Sequence, residues 1–132
     1  MRGSDLILHA GDVGGAHVIE ELRRLAPVAV VRGNNDIDPW GRRLPETLTV
    51  EVGGVHIHLL HVLGELALDP RAEGVKVVVS GHSHQPRRGR RGGVLYVNPG
   101  SAGPRRFCLP VTVGRLVIRD GRVSARIVPL LR

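Results

Sequence analysis

The chain has 132 residues, the size of one domain, and its 42% hydrophobic and 23% charged residues are typical of a globular rather than a disordered protein. It contains no apolar run near the roughly 20 residues that a membrane span requires, and no signal-peptide pattern, so we expect no membrane partner. One cysteine, Cys108, excludes an internal disulfide and a multi-cysteine metal site and fits a cytoplasmic location. We therefore expect one domain over residues 1–132.

The net charge of +7 can indicate a polyanionic partner such as nucleic acid. Nearly all of the positive charge is arginine, however, with Lys76 as the only lysine, and this skew is equally typical of GC-rich coding. Aromatic residues make up 2% of the chain, which is too few for the stacking surfaces that single-strand binders use. We therefore do not expect nucleic acid to be the main partner.

The first part of the chain predicts a strand, a helix and a second strand. Leu6-Ile7-Leu8 is a short apolar run, and residues from about Ala16 to Leu25 place their apolar side chains on one helical face. Pro27 ends this helix, and Val28-Ala29-Val30-Val31 is a second buried strand. The order predicts a parallel pair of strands joined by a right-handed crossover.

The middle of the chain predicts a hairpin, a weak helix and a third apolar strand. Thr47 to Val52 and Val55 to His61 alternate on either side of Gly53-Gly54, which is a turn signal. A weak helical pattern follows from about Leu66 to Glu73, and Val75 to Val79 form the apolar strand.

The last third of the chain predicts a basic loop, a fourth apolar strand and a second hairpin. Residues Arg87 to Arg91 are interpreted as a loop, either a solvated face or a patch that steers anions. Gly92-Gly93 precedes an apolar strand from Val94 to Val97. The hairpin runs from about Val111 to Val128 and turns at Asp120-Gly121.

Polar residues of metal-binding type follow the predicted buried strands. They are Asp12, Asn34, His61, His82 and His84. In sheet-based folds functional sites gather at the carboxyl ends of strands, so these five side chains are expected to meet. Carboxylate, amide oxygen and imidazole ligands suit manganese, iron, zinc or nickel.

Each of these residues also has a purely structural interpretation. Asp12 could cap the following helix, Asn34 could belong to a turn, and His61 could be a hydrogen-bonded strand histidine. The pair His82 and His84 at the end of one buried strand favours the metal site, because two imidazoles there could reach two different ions.

At this point the sequence resembles a known family. Gly11-Asp12, Gly33-Asn34-Asn35-Asp36, His61 and Gly81-His82-Ser83-His84 stand in the order of the calcineurin-like metallophosphoesterases. The resemblance is greatest to the small bacterial phosphodiesterase branch, and it implies an α/β fold, a four-layer α/β/β/α sandwich of two mixed sheets. It also implies a two-metal centre that hydrolyses small phosphate esters, above all phosphodiesters, with a metal-activated hydroxide.

The resemblance also implies a role for each residue. Asp12 would bridge two ions, with Asn34, His61 and His82 completing one of them and His84 binding the other. The ions would be divalent transition metals, with manganese expected first and zinc, iron or nickel as alternatives. Asn35 stands where many members carry a histidine that assists the phosphate or the leaving group; asparagine can donate a hydrogen bond there but no proton.

One departure from the family concerns its opening motif. Members begin with a strand ending in Asp-x-His and a helix, a unit of about 25 residues, which this chain lacks before Leu6-Ile7-Leu8. We therefore expect the second ion to bind weakly, and the open strand edge to favour a homo-oligomer. The alternative is a catalytically weak or inactive metal-binding scaffold, as a retromer subunit of the same superfold illustrates.

Overall fold

The computed structural model of the protein describes residues 6–11, 16–33, 41–81, 87–98 and 112–129. No helix within these ranges is long and apolar enough to cross a membrane. The elements, in chain order, are β1 (Ile7–His9), α1 (Ala16–Arg23), β2 (Val28–Val30), β3 (Thr47–Val52), β4 (Val55–Leu60), β5 (Val75–Val79), β6 (Arg87–Arg91), β7 (Val94–Asn98), β8 (Thr112–Arg119) and β9 (Arg122–Pro129), with 3₁₀ turns at Gly41–Arg43 and Leu63–Glu65.

The described strands form three sheets. β1 and β2 pair in parallel with Ile7 opposite Val28, so the predicted parallel pair across α1 is confirmed. The largest sheet has five strands in the order β3-β4-β5-β7-β6, in which β4, β5 and β7 are parallel and the two edge strands are antiparallel. β8 and β9 form a separate antiparallel hairpin. The α/β fold class is therefore confirmed.

The main core lies between the inner face of the five-stranded sheet and the two smaller sheets. Leu59 of β4 and Val77 of β5 are fully buried there, and alternate residues of β3 and β7 join them because strand side chains alternate between faces. Val31 reaches this core from the end of β2, and Ile118 reaches it from the hairpin. Burial of apolar surface on this face thus holds the three sheets together.

The outer layers are unequal. α1 packs through Ile19 on Val30, on the outer side of the small parallel sheet. The outer face of the five-stranded sheet is covered by Leu66 and Leu68, which pack against Val78. These two leucines lie in irregular chain, so the described residues show an α-helical outer layer on one side of the sandwich.

Two sequence predictions about local structure were wrong. Residues 66–73 do not form a helix: a 3₁₀ turn at Leu63–Glu65 and a hydrogen-bonded turn over 70–74 take its place. Residues Arg87–Arg91 are not a loop but the edge strand β6. An arginine-rich strand at a sheet edge carries no apolar alternation, so periodicity cannot reveal it.

Candidate functional site

The carboxyl ends of strands from two sheets meet at one edge of the sandwich. β1 and β2 end there, as do β4, β5 and β7, because each group runs parallel. Backbone hydrogen bonds extend the pairing beyond the strands, from Val31 N to His9 O (3.1 Å), from Gly81 N to His61 O (2.9 Å) and from Ser80 N to Val97 O (3.0 Å). This edge is where the sequence predicts the metal site.

His61 joins the two sheets at this edge. It is 6% exposed, and its Nδ1 lies 2.6 Å from the carbonyl oxygen of Ala10, just beyond β1. A carbonyl oxygen only accepts hydrogen bonds, so Nδ1 carries a proton, and in the neutral ring the lone pair is then on Nε2. Metal-bound histidines are usually oriented in this way, with the second ring nitrogen donating to a carbonyl or carboxylate.

Gly11 permits the close approach of these strand ends. Its φ is +102°, and a Cβ at this position would lie 2.7 Å from both Gly33 Cα and His61 Nδ1. No side chain fits at such a distance. Glycine is required here because the backbone of Gly33 and the His61 imidazole already occupy the space that a Cβ would need.

Gly81 at the end of β5 is similarly confined. A Cβ there would lie 3.3 Å from Ala10 Cβ and 3.6 Å from His61 Nδ1. The Asn98 side chain fixes this backbone from the next strand, because its Nδ2 donates to Gly81 O at 3.0 Å. The β5 end is therefore held on both sides.

Sequence reasoning missed two residues that hold the backbone of this edge. One is Asn98, whose position at the carboxyl end of the parallel strand β7 was the signal that could have revealed it. The other is His9, whose Nδ1 accepts a hydrogen bond from Gly11 N–H at 3.2 Å. A histidine two residues before a glycine turn can accept such a local hydrogen bond.

Five of the predicted site residues, Asp12, Asn34, Asn35, His82 and His84, lie outside the described residues, so of the candidate set the structure places His61 alone. Within the described ranges no three His, Cys, Asp or Glu side chains come together as a metal site. The residues that directly precede Asp12, Asn34 and His82 are described, and Gly11, Gly33 and Gly81 all border the space around Ala10 and His61.

The two histidines within β4, His56 and His58, make other contacts. His56 is exposed, and its Nε2 lies 3.4 Å from Glu51 Oε2 on the neighbouring strand β3. His58 is buried, with Nδ1 2.8 Å from Thr49 Oγ1, and desolvation by this burial lowers the pKa of its imidazole below the usual 6.5.

Comparison with known families gives a match over almost the whole chain. The sequence model of the calcineurin-like phosphoesterase superfamily domain matches residues 1–121. A probable metallophosphoesterase of Methanocaldococcus jannaschii is 32% identical over 130 residues, which is 96% of this chain and 67% of that protein. A probable metallophosphoesterase of Methanothermobacter thermautotrophicus is 35% identical over 111 residues, covering 76% of this chain and 62% of that protein.

Among solved structures, wild-type Vps29 from Entamoeba histolytica complexed with Zn²⁺ is similar, with a TM-score of 0.73 and 27% identity. The match covers 95% of this chain and 82% of that one. The chain therefore spans 67% and 62% of the lengths of the two metallophosphoesterase relatives and 82% of the length of the Vps29 chain.

Proposed function

The chain belongs to the calcineurin-like phosphoesterase superfamily, and from this premise we propose that it hydrolyses phosphate esters, above all phosphodiesters, at a metal centre on the carboxyl edge of its parallel strands. We place this activity in the cytoplasm, where reducing conditions suit a chain with the single cysteine Cys108. We propose that residues 1–132 form a single calcineurin-like phosphoesterase domain.

The state of His61 is the observation that carries the proposal. A buried imidazole whose Nδ1–H is held by the Ala10 carbonyl presents Nε2 as a fixed nitrogen donor at this edge. The donor set of the sequence, imidazole with carboxylate and amide oxygen, fits manganese, iron, zinc or nickel, and we propose manganese first. When bound, divalent ions neutralise charge on the phosphate and activate the attacking water.

The roles of the other residues follow from their order in the family. Asp12 is proposed to bridge two ions, Asn34 and His82 to complete one ion with His61, and His84 to hold the second, weaker ion. Gly11, Gly33 and Gly81 directly precede Asp12, Asn34 and His82 and border the space beside His61. This placement supports a common site.

Asn35 is proposed to donate a hydrogen bond to the bound phosphate. Hydrolysis adds water to phosphorus and breaks one phosphorus–oxygen ester bond, and the departing alcohol oxygen needs a proton. Asparagine cannot supply that proton, so the proposed enzyme depends on solvent for it. Esters with good leaving groups, which need little protonation, are therefore the expected substrates.

The test compares Asp12→Asn with the matched control Asp120→Asn, which removes a carboxylate in the exposed β8–β9 turn. We expect Asp12→Asn to lower both bound metal after dialysis and manganese-dependent hydrolysis of an aryl phosphodiester by at least roughly tenfold, because replacing even a residue that only orients a metal ligand costs about 10–100-fold. The control should retain both. Unchanged metal content in Asp12→Asn contradicts the shared metal site.

A metal-binding protein without turnover is the second candidate. The Zn²⁺ bound to the similar Vps29 shows that this fold retains metal in that protein. The same experiment separates the two candidates, because a scaffold would lose metal in Asp12→Asn while the unsubstituted chain would show no manganese-dependent hydrolysis at all.

A further inference from the structure

The outward face of the β8–β9 hairpin consists largely of arginines. Leu116 and Ile118 of β8, with Val123 and Ala125 of β9, turn into the main core. The alternate positions turn outward and are exposed. We call Arg115, Arg119, Arg122 and Arg126 the arginine face.

This arrangement is unfavourable for the hairpin by itself. Arg115 stands directly opposite Arg126, and Arg119 stands opposite Arg122, so both cross-strand pairs join like charges. Neither strand contains a carboxylate, and Asp120 lies in the turn between them. Arginines spread by coding bias alone would not be expected to meet in pairs on one face.

The positive surface continues past the hairpin into a cleft of about 410 Å³. Lys76, Arg90 and Arg122 line this cleft, and its other lining residues carry no charge. Lys76 Nζ donates to Gly121 O at 3.4 Å and Arg90 Nη2 donates to Val123 O at 2.6 Å, so both cations are held against the hairpin. Because Arg122 belongs to both features, cleft and arginine face are one continuous basic surface.

The surface is separate from the candidate metal site. Lys76 is near the start of β5 and Gly93 directly precedes β7, whereas the metal site is proposed at the carboxyl ends of these same parallel strands. The two therefore occupy opposite edges of the five-stranded sheet.

We propose that the arginine face and the adjoining cleft bind the phosphodiester backbone of a nucleic-acid duplex, without reading its sequence. Residues four apart on a strand are about 13 Å apart, and cross-strand partners about 5 Å. The two arginine pairs are thus separated by roughly the 12 Å width of a duplex major groove. Each pair can then contact the phosphates on one side of the groove, with Val117 and Ser124 between them.

The chemistry of the surface favours a duplex over two other polyanions. A single strand is bound by stacking on aromatic rings as well as by charge, and none of the arginine-face or cleft residues is aromatic. An anionic membrane is bound by basic residues combined with apolar side chains that insert, and among the outward side chains that the structure describes on residues 115–126 Val117, 41% exposed, is the one apolar residue. Guanidinium groups pair well with phosphate oxygens, whether the phosphates belong to a nucleic acid or to a phospholipid.

The test measures binding of a short fluorescent DNA duplex by anisotropy as salt rises from about 50 to 200 mM. A chelator is present throughout, so that the result does not depend on the proposed metal site. The test variant is Arg115→Gln/Arg119→Gln/Arg126→Gln. The control is Arg23→Gln/Arg24→Gln/Arg43→Gln, which removes the same charge from exposed positions near α1 and the first 3₁₀ turn.

We expect the unmodified chain to bind with a log–log salt slope near −5, since six cations line the face and the cleft and each phosphate contact contributes about −0.9. The face variant should lose about three of those contacts, binding more than roughly tenfold weaker at low salt, while the control stays within about threefold. Its melting temperature should not fall, because two like-charge pairs are removed.

Three outcomes would overturn it. The first is no salt-dependent duplex binding by the unmodified chain. The second is an equal loss in the control variant, which would assign binding to net charge. The third is face-dependent binding to anionic phospholipid vesicles with none to the duplex, which would make the surface a membrane contact.

Discussion

His58 and His61 lie close together on the chain, yet their surroundings give the two imidazoles different chemistry. His61 is fixed by a backbone carbonyl at the strand-end edge, where we propose that it binds a metal ion. His58 lies within β4, buried beside Thr49, where burial holds the imidazole neutral by lowering its pKa. Residues 58 and 61 lie on opposite faces because side chains alternate along an extended strand.

The lowered pKa of His58 predicts a pH dependence of stability. In the unfolded chain the imidazole titrates near 6.5, whereas in the folded protein it stays neutral to lower pH, so the unfolded state binds more protons in that interval. The contribution is complete above pH 6.5 and is lost as pH falls through the folded-state value. We expect the free energy of unfolding, measured with urea, to fall less steeply with decreasing pH in His58→Gln than in the unmodified protein.

The control for this experiment is His56→Gln, which removes an exposed histidine of the same strand. Its pH profile should retain the steep part that His58→Gln loses. A profile of His58→Gln that parallels that of the unmodified protein would contradict the assignment to His58.

At the scale of elements, the junction between β1, β2 and β4 depends on one glycine. Gly11→Ala places a methyl group 2.7 Å from Gly33 Cα and His61 Nδ1, on a backbone with φ of +102°. Gly54→Ala is the matched control, since Gly54 also has positive φ (+79°) but no atom lies within 4 Å of the added carbon. Gly54→Ala should cost about 1 kcal/mol of backbone strain, and Gly11→Ala about 2–4 kcal/mol, as strain and steric overlap add.

The readout is the free energy of unfolding from chemical denaturation, with bound metal measured in parallel. Gly11→Ala should also lower metal affinity, because it displaces His61, whereas Gly54→Ala should leave metal binding intact. Equal destabilisation by the two substitutions would show that the strand ends do not press together at Gly11.

The elements that were predicted correctly carry their own local signals. The hairpin turn at Asp120-Gly121 has positive φ at both residues, as the sequence implies for a two-residue turn. Gly92-Gly93 has the same geometry and joins β6 to β7, so this turn signalled the hairpin that the arginine-rich sequence of β6 concealed. The helix predicted over residues 66–73 was wrong for a different reason. Leu66 and Leu68 are apolar because they cover the five-stranded sheet, and their spacing was misinterpreted as helical.

The candidate site was predictable to a lesser degree. The sequence shows which predicted strands are followed by metal-binding types of residue, and His61 does lie at the expected edge. The supporting contacts of His9 and Asn98 are not readable, because each depends on how close two backbones come in space. The clustering of arginines on one hairpin face likewise needed the register of β8 with β9.

At the scale of the whole molecule, the two faces of the five-stranded sheet contribute unequally to the free energy of unfolding. Leu59 and Leu60 are adjacent and almost completely buried, but they point to opposite faces. Leu59 lies in the large core shared by three sheets, whereas Leu60 lies in the small cluster covered by the irregular chain after β4. A cavity in a core enclosed by sheets relaxes less than one beneath a segment that can move inward.

This difference sets the last prediction. Leu59→Ala should destabilise the protein by about 3–5 kcal/mol and Leu60→Ala by about 2–3 kcal/mol, measured by urea denaturation. The larger loss is a substantial part of the roughly 5–15 kcal/mol that holds a domain folded, so Leu59→Ala should also melt at clearly lower temperature. The two variants make the same substitution at adjacent positions that face opposite sides of the sheet, so each serves as the control for the other. A loss for Leu60→Ala equal to or greater than that for Leu59→Ala would show that the covering segment is packed as firmly as the core between the sheets.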